Sequence, residues 1–264
     1  MTHAFVPLVA LALLGGDASG PEIANVRLTY GYNGATRPKT GILPGDVGFV
    51  SFEIKNLKPD SKGRLAYSIA IVIEDEKGNI LFEQKPYNST AQTYFGGDSL
   101  PAAVRLEVPL DSKPGGVKWK CTVTDRTTKK SKELKGAGKI LPADFGLVQV
   151  GTFADPEGRV PMAPVGVVGA QLTIGFGVTG FGRKDKQPDI KVTLNIRDDK
   201  GQLTTTKPLS GEINKGVDAD LRVIPLHFGL TLDRVGQFML ELTAEDKISG
   251  KTSTVHFPVR ILAQ

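Results

Sequence analysis

Cysteine is almost missing from this chain: Cys121 is the only one in 264 residues. A lone thiol excludes an internal disulfide in any compartment. Without a resolving partner or co-ligands it also argues against thiol redox chemistry and a cysteine-based zinc site. Stability must come from packing, and 264 residues are enough for two domains that each bury a core without cofactor or metal. Histidine is scarce as well; His3, His227 and His256 stand at spacings that suit no metal. No nucleophile-elbow motif accompanies them, so no catalytic, metal-binding or cofactor-binding residue is assigned. Long apolar runs are lacking too, and the one from Ala4 to Leu14 is too short to span a bilayer. Small residues follow it, with Ala18 and Gly20 offering a small-x-small cleavage site, so Met1 to Gly20 reads as an export leader. No Lys or Arg precedes the run and Pro7 interrupts it, both departures from the usual leader pattern. The expectation is an exported protein, in the periplasm, at the cell surface or outside the cell, with no transmembrane span.

No stretch after the leader carries a sustained helical stripe; periodicity is close to 2, the signature of strands. What the chain does have is one pattern written twice. IEDEKGNI at Ile73 to Ile80 returns as IRDDKGQL at Ile196 to Leu203, an offset of 123, and Asp125 returns as Asp246, an offset of 121. Tyr67, Ile69, Ile71 and Ile73 correspond to Ile190, Val192, Leu194 and Ile196, and Val50, Phe52 and Ile54 to Ile174, Phe176 and Val178. Near each C-terminal end Val117, Trp119, Cys121 and Val123 correspond to Phe238, Leu240, Leu242 and Ala244. Alternate side chains of a strand share a face, so these sets mark one buried face per strand, in both copies.

Turn chemistry separates the strands. Asp75-Glu76-Lys77-Gly78 and Asp198-Asp199-Lys200-Gly201 are acidic turns closed by a glycine, and residues 125–130 and 246–251 form the last hairpin loops. The reading is all-β: two tandem Ig-like antiparallel β-sandwiches related by duplication, of about seven strands each. In copy one the strands fall near residues 25–32, 46–55, 66–75, 79–84, 102–109, 116–125 and 131–141. The copies divide at Pro142-Ala143, giving domains over residues 21–142 and 143–264. So short a linker limits their swing. With its LPGD turn (Leu43 to Asp46), the D-x-K-G hairpin and the TVTDRTTKK closing pair (Thr122 to Lys130), the chain resembles the Ig-like or fibronectin type III modules found in tandem in exported bacterial proteins. That resemblance implies a fold and assigns no ligand, and the chain lacks the cysteine pair of antibody-type domains.

Gly175, Gly177 and Gly180 match GxGxxG, yet the repeat aligns this stretch with the strand of Phe52 and Ile54, and a phosphate-cradling loop must open a helix. A bulge or close backbone approach is the expectation. The acidic pairs Asp75/Glu76 and Asp198/Asp199 are expected to serve turns rather than proton transfer or calcium.

Charge distinguishes the copies. Residues 21–143 carry 19 Lys+Arg against 13 Asp+Glu, a net +6, whereas residues 144–264 carry 14 of each. From Lys113 to Lys139 nine basic residues stand against Asp125 and Glu133. With Trp119 and Cys121 inward, Lys118 and Lys120 point outward, and a hairpin turning at Arg126 to Lys129 sets Lys120 opposite Lys135 with Lys139 further along. Facing lysines repel, a cost an anionic partner would offset. Lysines on a closing strand are also a common guard against edge-to-edge pairing, and that reading takes precedence. Lys118, Lys120, Lys135 and Lys139 are the candidate anion-binding residues, and copy two has Glu241 and His256 at the corresponding place. Three partner chemistries fit: an acidic polysaccharide, an anionic membrane surface or an acidic protein. Nucleic acid is disfavoured by export and by the absence of an outward aromatic platform. The sequence supports a monomeric, non-catalytic structural, adhesive or binding protein of the cell envelope. The alternatives are a carbohydrate-active accessory protein or small hydrolase with a loop-borne site, and a chaperone or scaffold that pairs a partner strand at a sheet edge.

Overall fold

A computed structural model of the chain describes residues 20–38, 41–97 and 99–264. Apart from Gly20, the leader lies outside the described residues. Copy one contains β1 (Glu22–Thr29), β2 (Val47–Lys55), β3 (Leu65–Asp75), β4 (Ile80–Ala91), β5 (Ser99–Glu107), β6 (Gly115–Asp125) and β7 (Ser131–Ile140). Copy two contains β8 (Gly146–Phe153), β9 (Val165–Val167), β10 (Gln171–Thr179), β11 (Ile190–Arg197), β12 (Leu209–Ile213), β13 (Val223–Thr231), β14 (Gly236–Asp246) and β15 (Lys251–Leu262). No helix occurs among the described residues.

In copy one the sheet β1-β2-β5 packs on β4-β3-β6-β7; in copy two β13-β10-β8 packs on β12-β11-β14-β15-β9. The fourth strand pairs with the third instead of joining the sheet of the first, second and fifth, so on this point the order departs from that of constant immunoglobulin domains. Period-2 alternation accounts for the core. Val50, Phe52 and Ile54 of β2 meet Ile71 and Ile73 of β3, Ala102, Val104 and Leu106 of β5, and Cys121 and Val123 of β6. Their counterparts Ile174, Phe176, Val178, Ile190, Val192, Leu194, Leu240, Leu242 and Ala244 are buried in the same way.

Two strands depart from the sequence reading. Copy two has an eighth strand, because Val165–Val167 runs parallel to the end of β15; at the equivalent place copy one makes only an isolated parallel bridge, Ile42 to Ile140. β4 runs to Ala91 instead of ending near residue 84: its ladder skips Lys85 and Pro86 as a bulge and resumes at Tyr87.

The copies are tied by more than the linker. Arg37 and Asp46 of the loop between β1 and β2 form an ion pair in which Asp46 is 1% exposed. Asp46 Oδ1 accepts the Val47 N–H at 2.7 Å and, across the boundary, the Gln149 N–H at 2.6 Å. Gln149 stands in a bulge of β8 at φ 54°, and its side-chain amide donates back to the Gly45 carbonyl at 2.8 Å. Beside this contact Tyr30 and Ala35 of copy one pack into the core of copy two, and a Cβ on Gly31 would lie 3.3 Å from the Gly151 backbone.

Asp125 and Asp246, buried to 1% and 0% exposure, explain why both copies keep an aspartate at the last turn. Asp125 accepts the N–H groups of Thr127 and Thr128 in its own turn and, through Oδ2, that of Lys58 in the loop after β2 at 3.0 Å. Asp246 likewise accepts from Ile248 and Ser249 and reaches Gly182, the equivalent position after β10, at 2.8 Å. Each carboxylate therefore staples one sheet's turn to a loop of the other. Burial works to raise both pKa values, and the converging donors outweigh it, leaving them below the ordinary carboxylate range. A folded carboxylate that binds its proton less readily than the unfolded one contributes stability above the ordinary range, lost as pH falls through the folded value. Asp125→Asn and Asp246→Asn would each set an amide against a backbone donor and should cost about 1–3 kcal/mol at neutral pH. Denaturant unfolding checks this, with the gap to the parent protein closing below about pH 4.

Candidate functional site

The hairpin of β6 and β7 has the register that the sequence implies: Lys120 opposite Lys135, Lys118 opposite Ala137 and Lys139 opposite Gly116. All four lysines are exposed. Lys118, Lys120 and Lys135 border a cavity of about 250 Å³ together with Val72, Glu74, Trp119 and Gly136, and Lys139 lies beyond it toward the strand end.

The expected repulsion between the facing lysines is already relieved within the molecule. Glu133 lies 3.6 Å from the Lys120 ammonium and 3.2 Å from that of Lys135. The hydrogen bond from Lys135 and the charges of both lysines hold the Glu133 carboxyl below its usual range. Glu74 stands opposite Lys118 on β3. Exposed pairs of this kind contribute little to stability. β7 is also the outer strand of its sheet, so its lysines do guard an edge. In copy two Glu241 faces His256 at 3.4 Å and is bound by Asn195 at 3.0 Å and Arg197 at 3.3 Å. The amide of Asn195 first, then Arg197 and His256, outweigh partial burial and lower the Glu241 pKa. A charge-balanced cluster thus occupies the place where copy one carries a cationic surplus.

Trp119 faces inward but is half-buried: β7 bears glycine at 136, and the indole lies where a Cβ there would stand, with Cζ2 2.2 Å from that position. Cys121 beneath it is fully buried, and burial pushes its thiol up to about 12. It is a packing residue.

The other motifs resolve into structure. Gly175 and Gly177 lie in β10 where the ladder to β8 slips around Gln149. Gly180 has φ 66°, and its Cβ would stand 2.2 Å from the Asp144 carbonyl oxygen. Both the bulge and the close approach expected of these glycines are present. Asp75 accepts the N–H groups of Lys77 and Asn79, and Asp198 those of Lys200 and Gln202, closing turns that end in Gly78 (φ 84°) and Gly201 (φ 75°). Asp60 and Asp155 repeat the device. His227 and His256 are exposed on β13 and β15, in opposite sheets. Among the described residues no group of three or more His, Cys, Asp and Glu is placed to hold a metal ion, and no helix is long and apolar enough to cross a membrane.

One premise of the sequence reading is overturned. Aromatic side chains do project outward, with Tyr87 on β4 68% exposed, Tyr94 81% and Phe95 fully exposed. They stand beside a bulge and on a turn, where period-2 alternation gives no guide to burial. The Arg37–Asp46 pair is a second feature that periodicity does not disclose; its one sequence signal is the LPGD turn.

No protein-family model matches the chain, and no curated protein sequence does. Among solved structures it is similar to dimeric latent PorU from Porphyromonas gingivalis, at 14% identity and a TM-score of 0.44, over 96% of this chain and 21% of that one. It is also similar to the C-terminal domain of the Streptococcus pyogenes antigen I/II-family protein AspA, at 11% identity and a TM-score of 0.29, over 92% and 100% of the two chains. The C-terminal domain of the Streptococcus agalactiae AgI/II polypeptide BspA gives 10% identity and a TM-score of 0.29, over 91% and 99%. The chain thus spans about a fifth of the PorU chain it resembles. Likeness of this order leaves function to be argued from the chain's own residues.

The seat of Trp119 over Gly136 can be tested. Gly136→Ala must displace the indole; it should cost about 1–3 kcal/mol and shift tryptophan emission to the red. Unchanged emission and melting would contradict this placement.

Proposed function

We propose that the chain is an exported, non-catalytic binding protein of the cell envelope, built of two domains that divide at Pro142-Ala143 and attached to an anionic partner through the basic surface of copy one. One comparison carries the reading: the same strand positions hold Lys120 and Lys135 in copy one, and Glu241 and His256 in copy two, where Glu241 is bound by His256, Arg197 and Asn195. The fold is satisfied by either arrangement, so the cationic one is free to serve recognition. Lys118 and Lys139 extend it along the same outer face. Glu133 between Lys120 and Lys135 keeps the pair ordered and leaves their remaining donor positions to an incoming carboxylate, sulfate or phosphate oxygen. The leader at Met1 to Gly20 supports the exported location. The non-catalytic reading is supported by the work the acidic and glycine motifs do in turns and bulges.

Pairing of a partner strand at a sheet edge is the less favoured reading, because five of the outer strands are blunted or short. β4, β5 and β13 carry Pro86, Pro101 and Pro225, β7 carries its lysines, and β9 covers the end of β15.

Charge reversal of Lys118, Lys120 and Lys135 together to Glu, in the folded intact protein, should abolish salt-sensitive retention on an acidic polysaccharide matrix. Retention that is unchanged and insensitive to salt would refute attachment through this face.

A further inference from the structure

The end of copy one that points away from copy two is built from three loops. Residues 56–64 follow β2, residues 92–98 join β4 to β5, and residues 126–130 join β6 to β7. Leu65 pairs with Ala91 and Lys55 with Ser99, and the Arg126 N–H donates to the Ala66 carbonyl at 2.8 Å, so all three gather at one end. The Asp125 staple to the Lys58 N–H fixes two of them together. In sequence they carry Lys58, Lys62, Arg64, Arg126, Lys129 and Lys130 against Asp60 and Asp98. In the β4–β5 loop a turn closed by Gly96 N–H to Thr93 carbonyl, 3.0 Å, holds Tyr94 and Phe95 at its two corners. These rings are 81% and fully exposed.

The corresponding end of copy two is already occupied. Its loops carry Phe181, Arg183 and Leu221, which line a cavity of about 210 Å³ against Pro44 and Leu110 of copy one. Arg222 binds Asp111 of copy one at 2.8 Å. The end that packs against the other copy in copy two carries the exposed Tyr94 and Phe95 in copy one.

We propose that this end of copy one docks on an anionic lipid surface, with Tyr94 and Phe95 entering the interface and the lysines and arginines of the loops at the same end meeting lipid phosphates. Aromatic side chains favour the headgroup region, where a ring is partly dehydrated while its polar edge stays wet. Basic residues within a Debye length add attraction to an anionic leaflet. Charge complementarity selects this partner, since an uncharged apolar partner would not require the surplus of cations on these loops, of which Arg64 is already paired with Asp60. The docking site is separate from the Lys118–Lys139 face: Lys120 and Lys135 lie mid-strand on the side of the sandwich.

Sedimentation of the intact protein with phosphatidylcholine vesicles, with and without phosphatidylglycerol, tests it. Binding is expected only with the anionic lipid. Tyr94→Ser with Phe95→Ser should weaken it about tenfold or more, and Lys58→Glu or Lys129→Glu about fivefold each. Reversal of Lys120 and Lys135 should weaken it less than the loop substitutions do, which separates this proposal from the lysine-face reading. In Phe95→Trp, emission should shift to the blue on adding anionic vesicles, whereas the Trp119 signal of the parent protein should not move. These residues are exposed, and unchanged melting temperatures check that the variants fold. No binding to anionic vesicles, binding insensitive to Tyr94 and Phe95, or equal capture of a soluble polyanion or single-stranded nucleic acid through the same residues would overturn it.

Discussion

The buried carboxylate of Asp46 governs how this molecule presents itself. It neutralises Arg37, accepts the first N–H of β2, and reaches across the boundary to the backbone of Gln149 in the β8 bulge. A charge buried to this degree depends on its partners, and removing one member of the pair would leave the other uncompensated, at several kcal/mol. With Tyr30 and Ala35 seated in the core of copy two, this contact holds one end of copy one against copy two. The opposite end, with its basic loops and exposed aromatic turn, faces away. Orientation therefore decides which surfaces can meet a partner.

Duplication gave both copies the same internal solutions. The aspartates at the closing turns staple sheet to sheet through equivalent N–H groups, of Lys58 and Gly182. The acidic hairpins close on glycines of positive φ in the same way. Surfaces were not kept in common. Copy two balances its outer face with Arg197, Glu241 and His256 and commits its loop end to copy one. Copy one has a cationic hairpin and a cationic, aromatic end.

Much of this was legible in residue order because strand alternation is a strong local signal. The faces of β2, β3 and β6, the register of Lys120 against Lys135, and the turn roles of Asp75 and Asp198 all follow from spacing and internal repetition. What stayed hidden depends on contacts remote in sequence or on irregular backbone. The salt bridge of Glu133 to two lysines follows from side-chain reach, which a register alone does not give. The continuation of β4 past Lys85-Pro86 needs a bulge that Pro86 conceals. Asp46 meets Gln149 over a separation of 103 residues. Tyr94 and Phe95 lie in a turn, where alternation has no meaning, and apolar residues there look like any others until exposure is known.

On the proposed reading, recognition belongs to the surfaces copy one does not share with copy two. Hydrogen exchange of the intact protein, with and without an anionic partner surface, tests this most directly, because amides on every strand report at once. Protection confined to the β6–β7 hairpin and the loops at the Tyr94 and Phe95 end of copy one is the predicted result. Protection spread equally over β14, β15 and the loops of copy two, or none anywhere at saturating partner, would contradict it.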